Sequence, residues 1–599
     1  MPATTKNGPT VKPAPANFTN ELASDVCRTA IPRIVRASTP STRGLTESQR
    51  NELFPVLDQD ELERLKKFGS IVHVPKDTIL VHEGESNYFH VVLHGKLAIV
   101  LPYGDGTEEH IADIEDGMFT GDTDILNGRS VVRVKAAVDS EVLEISRSNV
   151  QTIIQTDVDL SDKLMRTFIA RRVFLVQGHK GDIILLGSRY SSDCMRLKSF
   201  LSRNGYPYLY VDLEQDPETY NILNHFGVSE EDLPLVIGHG KDVLRCPSVC
   251  ELAQYLRITS DVDEETVHET IIVGAGPAGL AAGVYAASEG LSTAMVEQEA
   301  PGGQAGSSSK IENYLGFPLG ISGQDLAQAG TLQAMKFGAK FIIPAKAQQL
   351  EAGPGTLYRV HLHDKQSLKA RTIIIASGAK YRRLTHIPHW EELEGIAIFY
   401  SATGLEARLC EGKEVAIIGG ANSAGQAAVF LSKSVAKVHM LVRGSGLSAT
   451  MSKYLVQRIE ATPKIVVHTH TELVELHLSK KNGIQLEAIT WENNETKQRE
   501  THPISIIFCM AGAEPNTDWL RGCSIAIDEK GFVQTGSDIT PEKLHAAGWK
   551  RKRQPMLYET TLPGVFAVGD LRSGNVKRVA SAVGEGSCSV QLIHRFLAE

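Results

Sequence analysis

Two glycine-rich turns and a scatter of cysteines hold most of the residues in this chain able to do chemistry. The first turn is Gly274-Ala275-Gly276-Pro277-Ala278-Gly279. A β-branched run, Thr270 to Val273, leads into it and an Ala-rich helical pattern leads out; after Gly290 a second apolar strand ends at Glu297. Each glycine has a separate task in a dinucleotide turn. Gly274 permits the tight bend, Gly276 lets backbone approach a pyrophosphate, and Gly279 lets the helix pack on the strand. The diphosphate, with Pro277 and Ala278 beneath it, sits on free N–H groups at the helix N-terminus, where the dipole favours an anion. Glu297 follows Gly274 by 23 positions, close to the offset of about 20 at which an acid holds a ribose. An accidental glycine-rich turn would not bring strand, helix, second strand and acid in this order.

The eight cysteines contain no CxxC pair. That excludes a disulfide scaffold and a paired-cysteine zinc site, so no metal is expected. Cys246 and Cys250 fall one turn apart on a predicted helix. A metal there would need two further ligands that the sequence does not offer, so they read as packing residues.

Length and composition set wider bounds. At 599 residues the chain should hold several domains of roughly 100–200 residues each. With 42% hydrophobic and 22% charged residues it has the composition of a soluble globular protein. A net charge of −9 argues against a nucleic-acid binder and against a polybasic membrane anchor. No apolar run is long enough to span a bilayer, and there is no signal peptide. A reducing, cytoplasmic setting is expected.

Residues 1–44 are rich in Pro, Thr, Ser and Ala and read as a disordered tail. From 45 to 175 short strands alternate with turns. Glu83-Gly84, Leu93-His94-Gly95 and Gly121 leading to Arg129 occur in the order of the cyclic-nucleotide-binding domain, which this stretch resembles. The resemblance implies that Arg129 pairs a cyclic phosphate with support from Ser130. It also implies that Asp122, after Gly121, replaces the glutamate that takes the ribose hydroxyl. Asp is one methylene shorter, so a rival reading is a β-roll that has lost its ligand and now serves docking or dimerisation. Residues 180–260 resemble the glutaredoxin and thioredoxin fold. The family's CxxC falls on Ser191-Ser192-Asp193-Cys194 and its cis-proline on Pro234. A serine at the attacking position has no thiolate to offer, so Cys194 reads as a packed small residue.

From His268 to the end the chain resembles the thioredoxin-reductase class of flavoproteins. The FAD-binding part is 266–388 and 525–599, and a nicotinamide-binding part, 389–524, is inserted between them. Gly302-Gly303-Gln304, the segment around Asn313, and Arg371 to Gly378 with Ser377 match stretches that surround FAD in the family. Gly564 to Asp570 with Gly569 matches the strand whose Asp binds the ribityl chain; Lys577-Arg578-Val579 falls where the family caps the flavin. The resemblance therefore implies an FAD site built from Gly274, Gly276, Pro277, Ala278, Gly279, Glu297, Gly303, Gln304, Asn313, Ser377, Gly378, Gly569, Asp570, Arg578 and Val579.

The second turn is Gly419-Gly420-Ala421-Asn422-Ser423-Ala424, with Ala421 where a second glycine should stand. The added methyl crowds a pyrophosphate, while Arg443 at the end of the next strand suits a 2′-phosphate and so NADPH over NADH. A retained fold with poor nicotinamide affinity is the competing view. Where the family carries its catalytic CxxC, this chain has Ser401 and Gly404. Flavin-to-disulfide transfer needs two thiols, and Cys410 is the nearest single candidate, set against a core-filling role.

The expected architecture is multidomain α/β: a cyclic-nucleotide-binding-like β-roll, a thioredoxin-like domain, then two Rossmann-like three-layer domains of the thioredoxin-reductase type. The expected function is an FAD-dependent oxidoreductase, NADPH-linked, gated through its N-terminal domain and passing electrons to an unidentified acceptor that approaches the flavin directly. The alternative is a non-catalytic FAD-binding redox sensor or partner-binding protein. A homodimer is implied by the resemblance alone.

Overall fold

The structure is a computed structural model that describes residues 46–82, 88–102, 108–121, 130, 132–177, 183–188, 191–213, 232–238, 242–256, 258, 262–353, 357–479 and 485–599. The tail and the pair Asp122 and Arg129 lie outside the described residues.

Two antiparallel sheets form the β-roll. Gly69–Val74, Ser140–Ile145 and Phe89–His94 make one; Ile79–Val81, Arg133–Ala136, Lys96–Pro102 and Glu108–Glu115 make the other. Burial along Ser140–Ile145 does not alternate: Val142 packs into one cluster while Leu143 and Ile145 pack into the other, so this central strand is covered on both faces. Helices Arg147–Thr156 and Val158–Gln177 close this unit.

The middle unit has a four-stranded sheet in the order Asp242–Arg245, Leu235–Gly238, Ile184–Gly187, Leu209–Asp212. Only the last pair is parallel. The parallel pair is joined by the helix Ser192–Arg203, the crossover that parallel neighbours require. The Leu233–Pro234 peptide is cis. Cys246 does not share a helix with Cys250. It lies beyond the strand in a left-handed conformation (φ 43°), and Ser248 caps the helix that begins at Val249. The two thiols therefore lack the one-turn spacing expected from sequence.

Two nucleotide-fold units follow. In the first, Lys340–Ile342, Thr293–Val296, Val267–Val273 and Ser367–Ile375 run parallel in that order, with Val565–Ala567 also parallel to the last. The strands Val267–Val273 and Ser367–Ile375 end in the continuous apolar runs Ile271–Val273 and Ile373–Ile375, because helices and a second β layer cover both faces there. The second unit has five parallel strands in the order Ile398–Phe399, Ile507–Cys509, Glu414–Ile418, Lys437–Val442, Ile465–Thr469. A three-stranded antiparallel sheet lies against it.

The units exchange chain through a two-stranded ribbon, Ala379–Tyr381 against Ala513–Pro515. This moves the sequence-based boundaries. Ile387 already packs with the second unit's Trp390 and Ile398. Leu520 and Ile525, with Trp519 and Cys523 beside them, pack into the first unit's core. The return therefore precedes residue 525, and Cys523 does not belong to the inserted unit. Among the described residues no helix is long and apolar enough to cross a membrane.

Candidate functional site

The first glycine turn is shaped by contacts that leave one face clear. Gly274 has φ 106°, and a Cβ there would lie 2.3 Å from the Ala376 carbonyl oxygen. A Cβ on Gly279 would lie 1.8 Å from the Gly274 carbonyl oxygen, so the helix Pro277–Ser288 packs too close for any side chain. At Gly276 a Cβ would meet nothing nearer than Gly303 Cα, 3.9 Å away. Gly274 and Gly279 are thus required by the turn's own packing, while Gly276 leaves open space at the helix N-terminus.

Around this turn, Gly302 N–H donates to the Ala275 carbonyl at 2.7 Å. Glu297, at the end of the neighbouring strand, accepts from Ala275 N–H at 2.8 Å and from Glu299 N–H at 3.0 Å. Burial pushes its carboxyl above the ordinary range, while those N–H groups and Arg203 oppose the shift. Gln304 donates its amide to the Ala379 carbonyl. Ser377 donates to the Asn516 carbonyl at 2.8 Å, and Asn516 returns a bond to the Ser377 carbonyl at 2.9 Å. Gly378, at φ 63°, turns the chain away toward the ribbon. On the opposite side Gly569 (φ 76°) fits against Ala278, where a Cβ would come within 2.9 Å of the Ala278 methyl. Asp570 is held above its usual range by burial, and Lys577, itself pushed down by burial, donates to the Asp570 carbonyl at 2.9 Å. Val579 begins the C-terminal helix, with Arg578 exposed at its N-cap. Asn313 is also exposed, in a segment whose Tyr314 and Phe317 rings stack 5.9 Å apart.

One organiser of this site was not found from sequence. Glu585, in the C-terminal helix and 7% exposed, accepts Gly569 N–H at 2.8 Å, the Arg572 guanidinium at 2.6 Å and the Asn575 amide at 2.8 Å. It fixes the loop that carries Asp570. Its sequence signal is a carboxylate in the small-residue first half of that helix.

The second turn repeats the backbone course. Gly419 has φ 139°, and a Cβ there would meet the Met510 carbonyl oxygen at 2.5 Å. Ala421 is the N-cap of Asn422–Leu431 and is exposed. Asn422 accepts from Ser452 N–H at 2.7 Å, and Ala424 is buried against Gly419. Ser423 hydrogen-bonds the Tyr381 hydroxyl, which reaches it from the ribbon. Arg443 keeps 78% of its side chain exposed, with Glu472 at 3.8 Å.

At the position of the missing dithiol, Thr403 caps the short helix Gly404–Leu409 through Glu406. Ser401 is half-buried, and a Cβ on Gly404 would meet no atom within 4 Å. Cys410 lies in the core, donates to the Glu406 carbonyl at 3.0 Å, and is pushed up to about 11 by burial. Cys509 is equally buried, with its thiol likewise at about 11. Neither offers a thiolate near neutral pH. Among the described residues no group of three His, Cys, Asp or Glu could hold a metal.

In the β-roll, Gly121 and Ser130 line a cleft whose other walls are mostly apolar, including Phe54, Ile99 and Ile114. Ser130 donates to the Val132 carbonyl at 2.7 Å. Arg171, from the closing helix, also lines the cleft. It donates to the carbonyls of Leu53, Phe119 and Gly121 at 2.8, 2.9 and 2.7 Å. Sequence reading missed it, because a lone buried arginine in a helical doublet looks like a solvated face.

Residues 71–157 match the cyclic nucleotide-binding domain. A thioredoxin reductase of Bacillus subtilis is 29% identical over 338 residues, covering 56% of this chain and 97% of its own. A thioredoxin reductase of Dictyostelium discoideum is 30% identical over 347 residues, covering 56% of this chain and 98% of its own. A solved thioredoxin reductase from T. acidophilum is 26% identical with a TM-score of 0.49, covering 56% of this chain and 100% of its own. The strand, turn and acid built around Gly274, and the return strand ending at Asp570, fall within one family match over residues 268–586, and the chain belongs to the pyridine nucleotide-disulphide oxidoreductase family.

Proposed function

We propose that the protein is an FAD-dependent, NADPH-linked oxidoreductase in which electrons leave the flavin for an acceptor that approaches it directly, without a protein dithiol. The observation that carries this reading is a contrast among the described residues: an open, well-formed dinucleotide turn at Gly276, and no accessible thiol near Ser401 and Gly404. In it, Gly276 and the N-terminus of Pro277–Ser288 hold the FAD pyrophosphate and Glu297 takes the ribose. Gly303, Gln304, Ser377, Gly378 and Gly569 face the cofactor, Asp570 binds its ribityl chain, and Asn313, Arg578 and Val579 border the ring. When bound, FAD supplies hydride acceptance and onward electron transfer.

The chain's own residues then do three things. Glu585 and Arg572 keep Asp570 in place; Asn422, Ser423 and Ala424 with Gly419 offer a second pyrophosphate site; and Arg443, charged and exposed, offers a partner for a 2′-phosphate. Gly121, Asp122, Arg129 and Ser130 form the site of a small effector, a cyclic nucleotide, in the N-terminal domain. The oligomer proposed is a homodimer, and the setting is the cytoplasm.

Anaerobic mixing of the purified holoprotein with NADPH tests the reading. Rapid bleaching of the flavin absorbance is expected. A flavin that stays oxidised at millimolar NADPH would overturn it in favour of a non-catalytic FAD-binding redox sensor. Calorimetric titration with cyclic AMP and cyclic GMP, repeated on Arg129→Ala, tests the effector. Heat from one of them that the substitution abolishes is the expected result, and no heat from either removes the gate.

A further inference from the structure

The helix Ser192–Arg203 of the middle unit has one chemically silent end and one occupied end. At its N-terminus, Ser191 accepts from Cys194 N–H at 3.3 Å, and Cys194 is fully buried, with its thiol pushed up to about 11. A thiol exchange centre cannot work from there. The C-terminal end, by contrast, lies on the first nucleotide unit. Arg203 donates to the Glu299 carboxylate at 2.8 Å, and Asn204 donates to the Glu299 carbonyl at 3.1 Å. The second guanidinium nitrogen of Arg203 reaches the Gly303 carbonyl at 3.5 Å. Gln324 donates to the Ser202 carbonyl at 2.6 Å. Gly205 sits so close to the helix Gly323–Lys336 that a Cβ on it would lie 2.9 Å from the Gln328 amide. Apolar side chains of the two units, Phe200, Leu201 and Tyr206 with Ala282, Ala286 and Phe341, share one core.

What the C-terminal end grips is the connection from Glu297 to Gly303, the loop beside the first glycine turn. Glu299 N–H holds one oxygen of Glu297 at 3.0 Å, and Gly302 N–H closes the far end of the loop onto Ala275 at 2.7 Å. The loop is therefore tied to the turn at both ends and to the middle unit in between. Arg203 Nε is buried with no partner, so the guanidinium is committed to this interface at some cost in hydration.

We propose that the middle unit is a cofactor clamp: Arg203 and Asn204 are positioning residues that hold the Glu297–Gly303 loop closed over the adenosine half of FAD. The unit slows cofactor loss and does not exchange thiols. This rests on the reading of the first turn as the FAD site.

The test uses the full chain stripped of FAD and retitrated, with affinity and dissociation rate read from flavin fluorescence, and the thermal midpoint of the apo form read separately. Removal of both polar contacts predicts a loss of roughly tenfold or more in FAD affinity for Arg203→Ala/Asn204→Ala, appearing as faster dissociation. Gln324→Ala, which loosens the same interface without touching the loop, should stay within about twofold. Reversing the pair with Arg203→Glu/Glu299→Arg should recover part of the loss. Unchanged FAD affinity and dissociation in the double variant overturns the clamp, and so does a loss confined to the apo thermal midpoint. Should the double variant fail to fold, Arg203→Lys, which keeps the charge but not the fork, replaces it under the same outcomes. If the unmodified chain binds no FAD, the FAD reading itself fails and the clamp goes with it.

Discussion

At Gly276 a methyl group would meet no protein atom nearer than 3.9 Å, whereas the equivalent position of the second turn already carries one, on Ala421. Both residues cap their helices in extended conformations, with ψ of −177° and −179°. The first glycine of each turn has positive φ and backs onto a carbonyl oxygen at 2.3 or 2.5 Å from a built Cβ. The backbone demands at the first two positions are therefore the same, and the residues differ at the ligand-facing second position and at the helix-packing third, Gly279 against Ala424. The strand ends differ as well. Glu297 is half-buried and tied to two N–H groups, while Arg443 stands 78% exposed. The first turn is walled by the middle unit and by the loop that Glu585 organises. The second is open. A fold can thus keep the one glycine whose positive φ its turn requires, Gly274 or Gly419, while the ligand-facing and helix-packing positions change, because the backbone conformation is the stricter constraint.

That comparison can be broken at several points. The largest effect is expected for Gly279→Ala, whose Cβ would fall 1.8 Å from the Gly274 carbonyl oxygen. Helix and strand must separate, at a cost of about 3 kcal/mol or more, read as loss of soluble protein or a lowered unfolding midpoint. Alanine is already tolerated at the matching position of the second turn, Ala424.

Gly276→Ala should leave the apo fold intact, yet weaken FAD by on the order of a hundredfold, because only the ligand-facing space is filled. Equal thermal midpoints with unchanged FAD affinity would remove the pyrophosphate from this position. In the reverse direction, Ala421→Gly should tighten NADPH about tenfold, as one methyl clash is relieved. An unchanged KM for NADPH would mean that Ala421 does not face the nucleotide. Arg443→Gln should shift the NADPH-to-NADH preference by about tenfold, the worth of one charge-assisted contact at an exposed site.

The smallest effect concerns acid. The second unit buries His439 between its layers, with Nδ1 3.0 Å from His468 and Nε2 3.0 Å from Glu414. Trp491 and His502 stack beside them at 3.8 Å. Burial, then the charges of His439 and His502, push His468 down to about 4, and Glu500 opposes the shift. His439 is lowered too, by burial first, with Glu414 opposing and Lys437 adding. Both rings are neutral in the fold and protonate in the unfolded chain near 6.5. The unfolded state therefore binds more protons between about 6.5 and 4, and stability is full above that window and falls as pH drops through it. After allowance for partial exposure, the loss is on the order of 1–2 kcal/mol. Hydrogen exchange at pH 7 and pH 5 should show the second unit opening before the first, and His468→Gln should reduce the difference.

Much of the first site was legible because it is local. Strand, Gly274, Gly276, Gly279, helix and Glu297 lie within thirty residues of one another, and period and spacing report such a unit directly. The limits of the units were less legible. The sequence placed the return to the first unit at residue 525, because the surface-like run Asn516 to Cys523 carries no strand pattern. Yet Trp519 and Leu520 pack into the first core, and the ribbon that joins the units is only three residues wide on each side. The one-turn pairing of Cys246 and Cys250 failed for a related reason: a helical period cannot reveal that Cys246 takes φ 43° before the helix starts.

The sequence by itself determined the two fingerprints, the exchange of acid for arginine at their strand ends, and the loss of both CxxC pairs, since each is a matter of residue type at fixed spacing. Tertiary structure alone decided that Cys410 and Cys194 are sealed in cores, that Glu585 holds the Asp570 loop, and that Arg171 ties the closing helix of the β-roll to Gly121. It also decided that Arg203 lies on the loop after Glu297. Such contacts join residues far apart in the chain, and burial and hydrogen-bond partnership at that distance depend on which faces the packed elements turn to one another.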